Sequence, residues 1–387
     1  MPQTTSCAVQ IRDLAKEFLA MDYDPIVLTP SKDFAEGGRV DVIDGVTVYR
    51  LTALKIENVN LFRRTIAEIL MPVTMFLSLC RAGLAVKDFK GIIWYSPSIF
   101  FGPIVWYMKL LSKSKGYLIL RDMFPEWAVD LAIMKKGPAY YFFKSVAAFQ
   151  YSVADTIGVQ SDSNLHYLSS WATRGRRIEV LSNWLAPSKV KNKTFSFDLS
   201  KLAGRKLFVY IGNMGIAQGM EILISLAASL KDRSDLGFVF VGRGSEKNNL
   251  IRLSETLGLD NILFHDEIPP DHVRTLLNYC DVGLLALDPR HNSHNIPGKF
   301  LAYVESGLPV LARLNTGTDL CKIMEEREVG AFYSGSCIKT FSEMALSLIE
   351  DDSNLARISV NCLELYNAEY LPARAAEQIL NRIENKI

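Results

Sequence analysis

Three stretches in the second half of the chain join a β-type apolar run to a glycine-containing turn or a Pro-Gly pair, and then to a helical pattern. The first is Leu207-Phe208-Val209-Tyr210-Ile211-Gly212-Asn213-Met214-Gly215, followed by a helix over Gly219–Leu230. The second, Phe238-Val239-Phe240-Val241-Gly242-Arg243-Gly244-Ser245-Glu246-Lys247, leads into a helix over Asn248–Leu257. The third, Ile296-Pro297-Gly298-Lys299, opens a helix over Phe300–Ser306. A glycine after a strand lets a ligand approach the backbone, and a helix start offers free N–H groups with a partial positive charge. Three such ends at the carboxyl edge of one sheet make an anion site suited to a diphosphate, and Arg243, Lys247 and Lys299 can supply full charges. Taken singly, each glycine turn reads equally as a turn and nothing more. Lys247 reads as a solvated helix-start residue. Lys299, beside Pro297 and Gly298 in apolar surroundings, reads as functional.

These junctions need a sheet to hold them. Short β-rich runs alternate with helical patterns almost throughout, the signature of parallel α/β sheets. The first half offers strands at Ile26–Leu28, Val46–Arg50, Ile92–Tyr95, Leu118–Leu120 and Thr156–Val159. Helical spacing fills the gaps: Val9, Leu14, Phe18 and Leu19, then Ile66, Leu70, Val73 and Leu77, then Tyr140–Val153. The second half repeats the theme at Leu207–Ile211, Phe238–Val241, Ile262–Phe264, Val282–Leu285 and Val310–Ala312. Between the halves, Pro187–Lys206 is poor in apolar residues and rich in Lys and Ser, which places a domain boundary there. The expectation is two Rossmann-like domains, 1–186 and 187–387, the second ending in C-terminal helices. A doubly wound domain normally opens on a strand, whereas here a helix over Cys7–Ala20 comes first. Either a central strand is missing or residues upstream of Met1 supply it.

Composition narrows the function. The 387 residues are 49% hydrophobic and 22% charged, with a net charge of +1, as in an ordinary globular protein. Residues 1–183 carry 21 Lys and Arg against 17 acids, and the remainder 22 against 25. The band 55–116 holds nine cations (Lys55, Arg63, Arg64, Arg81, Lys87, Lys90, Lys109, Lys113, Lys115) against Glu57, Glu68 and Asp88. That is a local anion-facing surface, and it argues against nucleic acid as the partner. Leu61–Val86 and Ile99–Lys115 mix these cations with large apolar residues such as Phe62, Met75, Phe76, Trp106 and Tyr107. They form either a core with a solvated rim or a face lying in lipid headgroups. The apolar stretch Ile69–Val86 is broken by Pro72 and Arg81 and is not read as spanning a membrane. Six scattered cysteines without CxxC spacing read as reduced thiols, and no signal peptide opens the chain, so the expected location is the cytoplasm.

The runs IGNMGIAQGME, VGRGSEK, HDEIPPDHVRTLLNYCDVGLLAL and IPGKFLAYVESGLPVLA resemble family-4 retaining glycosyltransferases of the GT-B fold. Upstream, VQIRDLAKEFLAMDYDPIVLTPS, LRDMFPEWAVDL, IGVQSDS and VLSNW carry the same resemblance, which covers nearly the whole chain. Its flavour is that of bacterial enzymes building surface polysaccharide and lipopolysaccharide side chains. The resemblance implies two Rossmann-like domains with parallel sheets facing across a cleft. It implies transfer of a sugar from a nucleotide-diphosphate sugar to a glycan or lipid-linked acceptor in cell-surface polysaccharide or O-antigen biosynthesis. Gly212, Asn213 and Gly215 would line the diphosphate with Arg243 near it, and Lys299 would complete the donor pocket. The backbone around His265, Asp266 and Ile268 would frame the nucleobase. Arg121 and Asp122 would end a strand on the acceptor side, with Asp122 positioning the acceptor or helping acid/base chemistry. Asp122 also reads as a cap for a helix over Phe124–Leu131. In a retaining transfer of this group, catalysis rests chiefly on stabilising the departing diphosphate with helix ends and cations.

Several positions depart from the family pattern. Many members carry two glutamates with seven residues between them, and those positions hold His294 and Ala302 here. Glu305, three residues past Ala302 on the same helical face, is the candidate substitute for the ribose contact, or else an ordinary surface glutamate. Ile216 stands where relatives often have a phosphate-binding Lys. No Asp-x-Asp motif occurs in a suitable strand context, so no metal and no cofactor are expected. His291 and His294 read as a polar loop over the donor. A nicotinamide-dependent enzyme would want G-x-G-x-x-G, whereas Gly242-Arg243-Gly244 is followed by Lys247 where the third glycine belongs. The alternatives that keep the same architecture are a sugar-nucleotide epimerase and a degenerate, non-catalytic partner subunit.

Overall fold

A computed structural model describes residues 6–31, 38–54, 61–96, 98–130, 134–188, 197–288 and 296–385. The chain forms two compact units: Met1–Ser182 with Pro372–Ile387, and Asn183–Leu371.

Unit 1 begins with α1 (Ser6–Ala20), β1 (Ile26–Ser31), β2 (Arg39–Ile43), β3 (Val46–Thr52) and α2 (Leu61–Arg81). It continues through β4 (Gly91–Tyr95), α3 (Gly102–Ser112), β5 (Lys115–Leu120), α4 (Glu126–Asp130), α5 (Pro138–Val153), β6 (Thr156–Val159), α6 (Ser169–Ala172) and β7 (Arg177–Val180). Asp44 and Gly45, both at positive φ, make the tight turn that folds β2 back on β3. The strands form two sheets, β1-β3-β2 and β4-β5-β6-β7. Among the described residues no strand pairs with the second edge of β1 or of β4, so a break stands where a doubly wound sheet would have its central strand. One core spans both sheets. Leu51 of β3 is buried with Ile92 and Trp94 of β4 and Leu118 of β5.

The expected helix carrying Ile66, Leu70, Val73 and Leu77 is α2, but it turns those residues outward. Ala67, Met71, Met75 and Leu79 face the core instead. Both stripes have helical spacing, so periodicity alone does not choose between them. Among the described residues no helix is long and apolar enough to cross a membrane.

Unit 2 alternates strictly: β8 (Lys206–Ile211), α7 (Glu221–Ser229), β9 (Leu236–Val241), α8 (Lys247–Thr256), β10 (Ile262–His265), α9 (Pro270–Leu277) and β11 (Val282–Ala286). Then come α10 (Gly298–Glu305), β12 (Val310–Arg313), α11 (Asp319–Arg327), β13 (Gly330–Tyr333), α12 (Ile338–Ile349) and α13 (Asp352–Leu365). The sheet is all parallel in the order β10-β9-β8-β11-β12-β13. Phe208, Val209, Tyr210, Phe238, Val239 and Phe240 are fully buried, as strands covered on both faces must be. The chain starts mid-sheet at β8, winds out to β10, and returns to lay β11 on the other side of β8. The switch point between β8 and β11 is where such sheets bind ligands.

The expected second domain, 187–387, differs from unit 2 at both ends. The crossing falls at Ser182–Asn183, and α14 (Pro372–Ile383) packs back on unit 1. The helix docks by its Ala375, Ala376 and Ile379 side and by charged contacts. Gln378 Nε2 donates to Glu179 Oε1 at 2.8 Å and to the Val180 carbonyl at 2.7 Å, and Arg382 Nε donates to Glu179 Oε2 at 2.6 Å. A π-helical turn, Tyr366–Tyr370, precedes the return, and Leu185 N–H donates to the Tyr370 carbonyl at 3.0 Å.

Candidate active site

The switch point is built by an aromatic residue on α10. Strands β8 and β11 pair only at Phe208–Val282 and Val209–Gly283. Past that point Tyr303 takes over. Its hydroxyl accepts from Ile211 N–H at 3.1 Å and lies within reach of the carbonyls of Val209 (3.2 Å) and Leu284 (3.1 Å). Gly283 admits the ring, since a Cβ there would stand 2.5 Å from it. Buried strand-end groups that would otherwise lack partners are thus satisfied by a side chain, and α10 is locked in place.

With α10 fixed, its first turn points Lys299 at the β8 loop. Lys299 Nζ stands 3.9 Å from the centroid of the fully buried Tyr210 ring and donates to its hydroxyl. Tyr210 Oη in turn donates to the Asn213 carbonyl at 2.6 Å. A Cβ on Gly212 would meet Lys299 Cε at 3.8 Å. Burial lowers the Lys299 ammonium to about 7. No side chain caps α10, so the partial positive charge of its first turn adds to the charge of Lys299.

The neighbouring loop is held as closely. Gly242, at φ +151°, approaches so near that a Cβ would lie 1.9 Å from the Gly212 carbonyl oxygen. Gly212 N–H donates to Val241 at 2.9 Å, and Met214 N–H to the Arg243 carbonyl at 2.7 Å. Gln218 Oε1 closes the β8 loop by accepting from Gly215 N–H (3.0 Å) and Asn213 Nδ2 (3.3 Å). Gly212, Asn213, Gly215 and Lys299 are therefore brought together at the switch point, as an anion cradle requires.

The three cations of this edge differ in their partners. Arg243 is mostly exposed and pairs with Glu267 at 3.2 Å. Lys247, expected as a solvated helix start, pairs with Asp266 at 2.6 Å and donates to the His265 carbonyl at 2.9 Å. Both bonds tie the β9 loop to the β10 loop, and the solvent-facing pairs are weak enough for a ligand to displace. Of the three, Lys299 is the one with no carboxylate partner among the described residues. His265 ends β10, and Asp266 and Ile268 follow it. The His265 ring packs on Phe197 with centroids 4.2 Å apart, and burial lowers its pKa.

Glu305 is buried and already engaged. Its Oε1 pairs with Arg274 at 2.6 Å and accepts from Ser188 N–H at 3.1 Å, and Arg274 also reaches the Glu305 carbonyl. This pair pins the start of unit 2 to α10. Ala302 lies on the same helix, partly buried against the core, and Ile216 is exposed at the tip of its loop. His291 and His294 lie outside the described residues. Among those described, no group of three or more His, Cys, Asp or Glu is placed to hold a metal ion.

In unit 1, Arg121 and Asp122 follow β5. Arg121 is buried, and its guanidinium donates to the carbonyls of Leu181 at 2.6 Å and Ser182 at 3.3 Å, fixing the exit from β7. Arg121, expected on the acceptor side, thus also braces the strand that follows β5 and β6 in the sheet. Asp122 is half-buried with a pKa raised by burial and partly offset by the Arg121 charge. Tyr210 and Tyr303 were missed in the sequence. Their one signal is a polar tip inside an apolar run.

Residues 191–362 match the family model described as glycosyl transferases group 1. Over 221 residues the chain is 24% identical to a Pseudomonas aeruginosa protein named "Probable glycosyltransferase WbjE", covering 56% of this chain and 55% of that one. Over 245 residues it is 24% identical to "Putative colanic acid biosynthesis glycosyl transferase WcaI" of Escherichia coli K12, covering 60% of each. The chain thus spans somewhat over half the length of these curated relatives. The crystal structure of Anabaena HepE in complex with UDP aligns with a TM-score of 0.66 at 13% identity, covering all of this chain and 97% of that one. The fold is that of an α/β protein with two Rossmann-like units, the GT-B class. The match to the glycosyl transferases group 1 model falls within its second unit.

Proposed function

We propose that the protein transfers a sugar from a nucleotide-diphosphate sugar to a glycan or lipid-linked acceptor in the biosynthesis of cell-surface polysaccharide or O-antigen. The observation that carries the reading is Lys299, a cation without a carboxylate partner among the described residues, at the start of α10 and against the Gly212 loop. A departing diphosphate is what such a site stabilises, because charge developing on it meets a positive helix end and an ammonium group. The group 1 match over the same unit supports it. So does the presence of UDP in the HepE structure.

In this reading Gly212, Asn213 and Gly215 bring backbone to the diphosphate, Lys299 holds its charge, and Arg243 swings from Glu267 onto it. The segment His265–Ile268 frames the nucleobase. Asp122 positions the acceptor hydroxyl or takes its proton, and the transfer proceeds with retention. The protein works in the cytoplasm at the inner face of an anionic membrane. Calorimetry with nucleoside diphosphates tests the core of this reading. Micromolar binding that falls by at least about tenfold in Lys299→Met supports it, since a charge-assisted contact is worth that much or more. Full affinity in a folded Lys299→Met protein removes Lys299 from the site.

A further inference from the structure

Eleven of the twenty large apolar side chains exposed among the described residues belong to three helices of unit 1. On α2 they are Ile66, Ile69, Leu70, Val73 and Leu77, exposed by 40–55%. Their spacing puts them in one stripe along the helix. On α3, Trp106 (53%) and Leu110 (61%) stand one turn apart with Leu111 beside them. On α5, Tyr141 (61%), Phe142 and Phe149 are outward.

These helices form one layer. Phe76 of α2 meets Tyr107 of α3 edge-on with centroids 4.7 Å apart, and Gly102 of α3 abuts Phe149 and Gln150 of α5. Each turns its other side into a common core: Met71 and Met75 from α2, Ile104 and Met108 from α3, Ala147 and Tyr151 from α5. The exposed sides therefore point away from that core together. Large apolar side chains exposed together on three packed helices mark an interaction face.

Charge selects the occupant. The three helices contain one carboxylate, Glu68, against Arg63, Arg64, Arg81, Lys109 and Lys144. Lys109 is turned inward onto Asp155 (2.5 Å) and the Val153 carbonyl, and Lys144 pairs with Glu126 at 3.6 Å. Arg81 ends α2, Lys113 follows α3, and Lys87 and Lys90 flank Asp88 in the segment between α2 and β4; these four cations are exposed and make no ion pair among the described residues. A second copy of this face would bring these cations against each other with few carboxylates to offset them. Anionic lipid headgroups neutralise them, while Trp106 and Tyr141 have the amphipathic rings that settle at a bilayer interface. We infer that the α2-α3-α5 face docks on an anionic bilayer, with Trp106 and Leu110 entering the acyl boundary and Arg81, Lys87, Lys90 and Lys113 on the headgroups. This rests on the membrane-side working place proposed above and names the surface that serves it.

The test is co-sedimentation of the full chain with phosphatidylcholine vesicles, with and without phosphatidylglycerol. Binding is expected with the anionic vesicles, weakening as salt rises. The double variant Trp106→Ser/Leu110→Ser changes exposed residues only, and it should lower partitioning by about tenfold or more. Arg81→Gln/Lys113→Gln should remove the preference for anionic lipid. Nucleotide affinity is measured on the same proteins and should be unchanged in all of them, which separates failure of docking from failure of the sugar-transfer reading. Equal partitioning of wild type and Trp106→Ser/Leu110→Ser overturns the inference. So does wild-type protein that stays in the supernatant but forms a dimer disrupted by those substitutions, in which case the face joins copies of the chain.

Discussion

Lys299 Nζ lies over the ring of Tyr210 at 3.9 Å and shares a hydrogen bond with its hydroxyl, while no carboxylate among the described residues answers its charge. A cation kept this way is poised for an anion that arrives from outside. Burial lowers its pKa from 10.5 to about 7. The unfolded chain keeps this amine protonated to about pH 10.5, so between pH 7 and 10.5 unfolding takes up a proton and Lys299 makes stability rise with pH. Below pH 7 both states hold the proton and its contribution is flat. Diphosphate binding restores the charge, so affinity should fall as pH rises above 7, by up to about tenfold per unit. Calorimetry at pH 8 in two buffers of different ionisation enthalpy should show uptake of roughly one proton, absent in Lys299→Met. Equal uptake in both proteins would assign the proton to another group.

Tyr303→Phe should leave Ile211 N–H and the nearby carbonyls short of a partner at the switch point. The expected loss is about 1–3 kcal/mol in urea unfolding, the cost of stranding a buried polar group. Nucleotide affinity should drop as well, because α10 loses the anchor that aims Lys299. A stability loss with unchanged affinity would show that the helix keeps its place by packing alone.

Gly242→Ala places a Cβ 1.9 Å from the Gly212 carbonyl. Backbone must move to accept it, so both loops of the cradle should shift and diphosphate binding should be lost. A crystal structure with the two loops in register, or retained affinity, contradicts the close approach.

Arg274→Met should destabilise by about 3–5 kcal/mol, since it leaves Glu305 buried and charged without its partner. Adding Glu305→Gln should recover part of that loss. Glu305→Gln alone separates bracing from ribose contact: nucleotide affinity within about twofold of wild type fits bracing, whereas a loss beyond tenfold returns Glu305 to the donor site.

Asp122→Asn should lower turnover by about a hundredfold or more, the usual scale of proton transfer by a positioned side chain, with donor affinity unchanged. Wild-type turnover makes Asp122 a structural residue.

The alternation of β runs and helices was legible along the chain, and so were the loops that form the cradle. In unit 2 the central strands are unbroken apolar runs such as Leu207–Ile211 and Phe238–Val241, and burial on both faces leaves that signature. The edge strands β2, β7 and β13 were not seen. They are short and partly exposed, and Arg39–Ile43 and Arg177–Val180 carry charges at alternating positions. Lys299 stood out because it is charged in an apolar helix start. Glu305 did not reveal its engagement, because Arg274 is far away in sequence and meets it only when α9 and α10 pack. Likewise α2 presents two apolar stripes, and the choice between them belongs to the tertiary contacts of Met71 and Met75.

The return of α14 to unit 1 gives that unit a discontinuous origin. On the ribosome all of Asn183–Leu371 is made before Pro372 emerges, so Glu179 has neither Gln378 nor Arg382, and the surface under α14 stays bare, while the other unit is being synthesised. Domains whose pieces are contiguous can fold as they leave the tunnel, while one awaiting a distant segment exposes apolar surface for longer and is open to chaperones and to misassembly. A stop codon near position 371 would accordingly damage the half of the molecule encoded first, and a tag fused after α14 would burden unit 1 rather than its sequence neighbour.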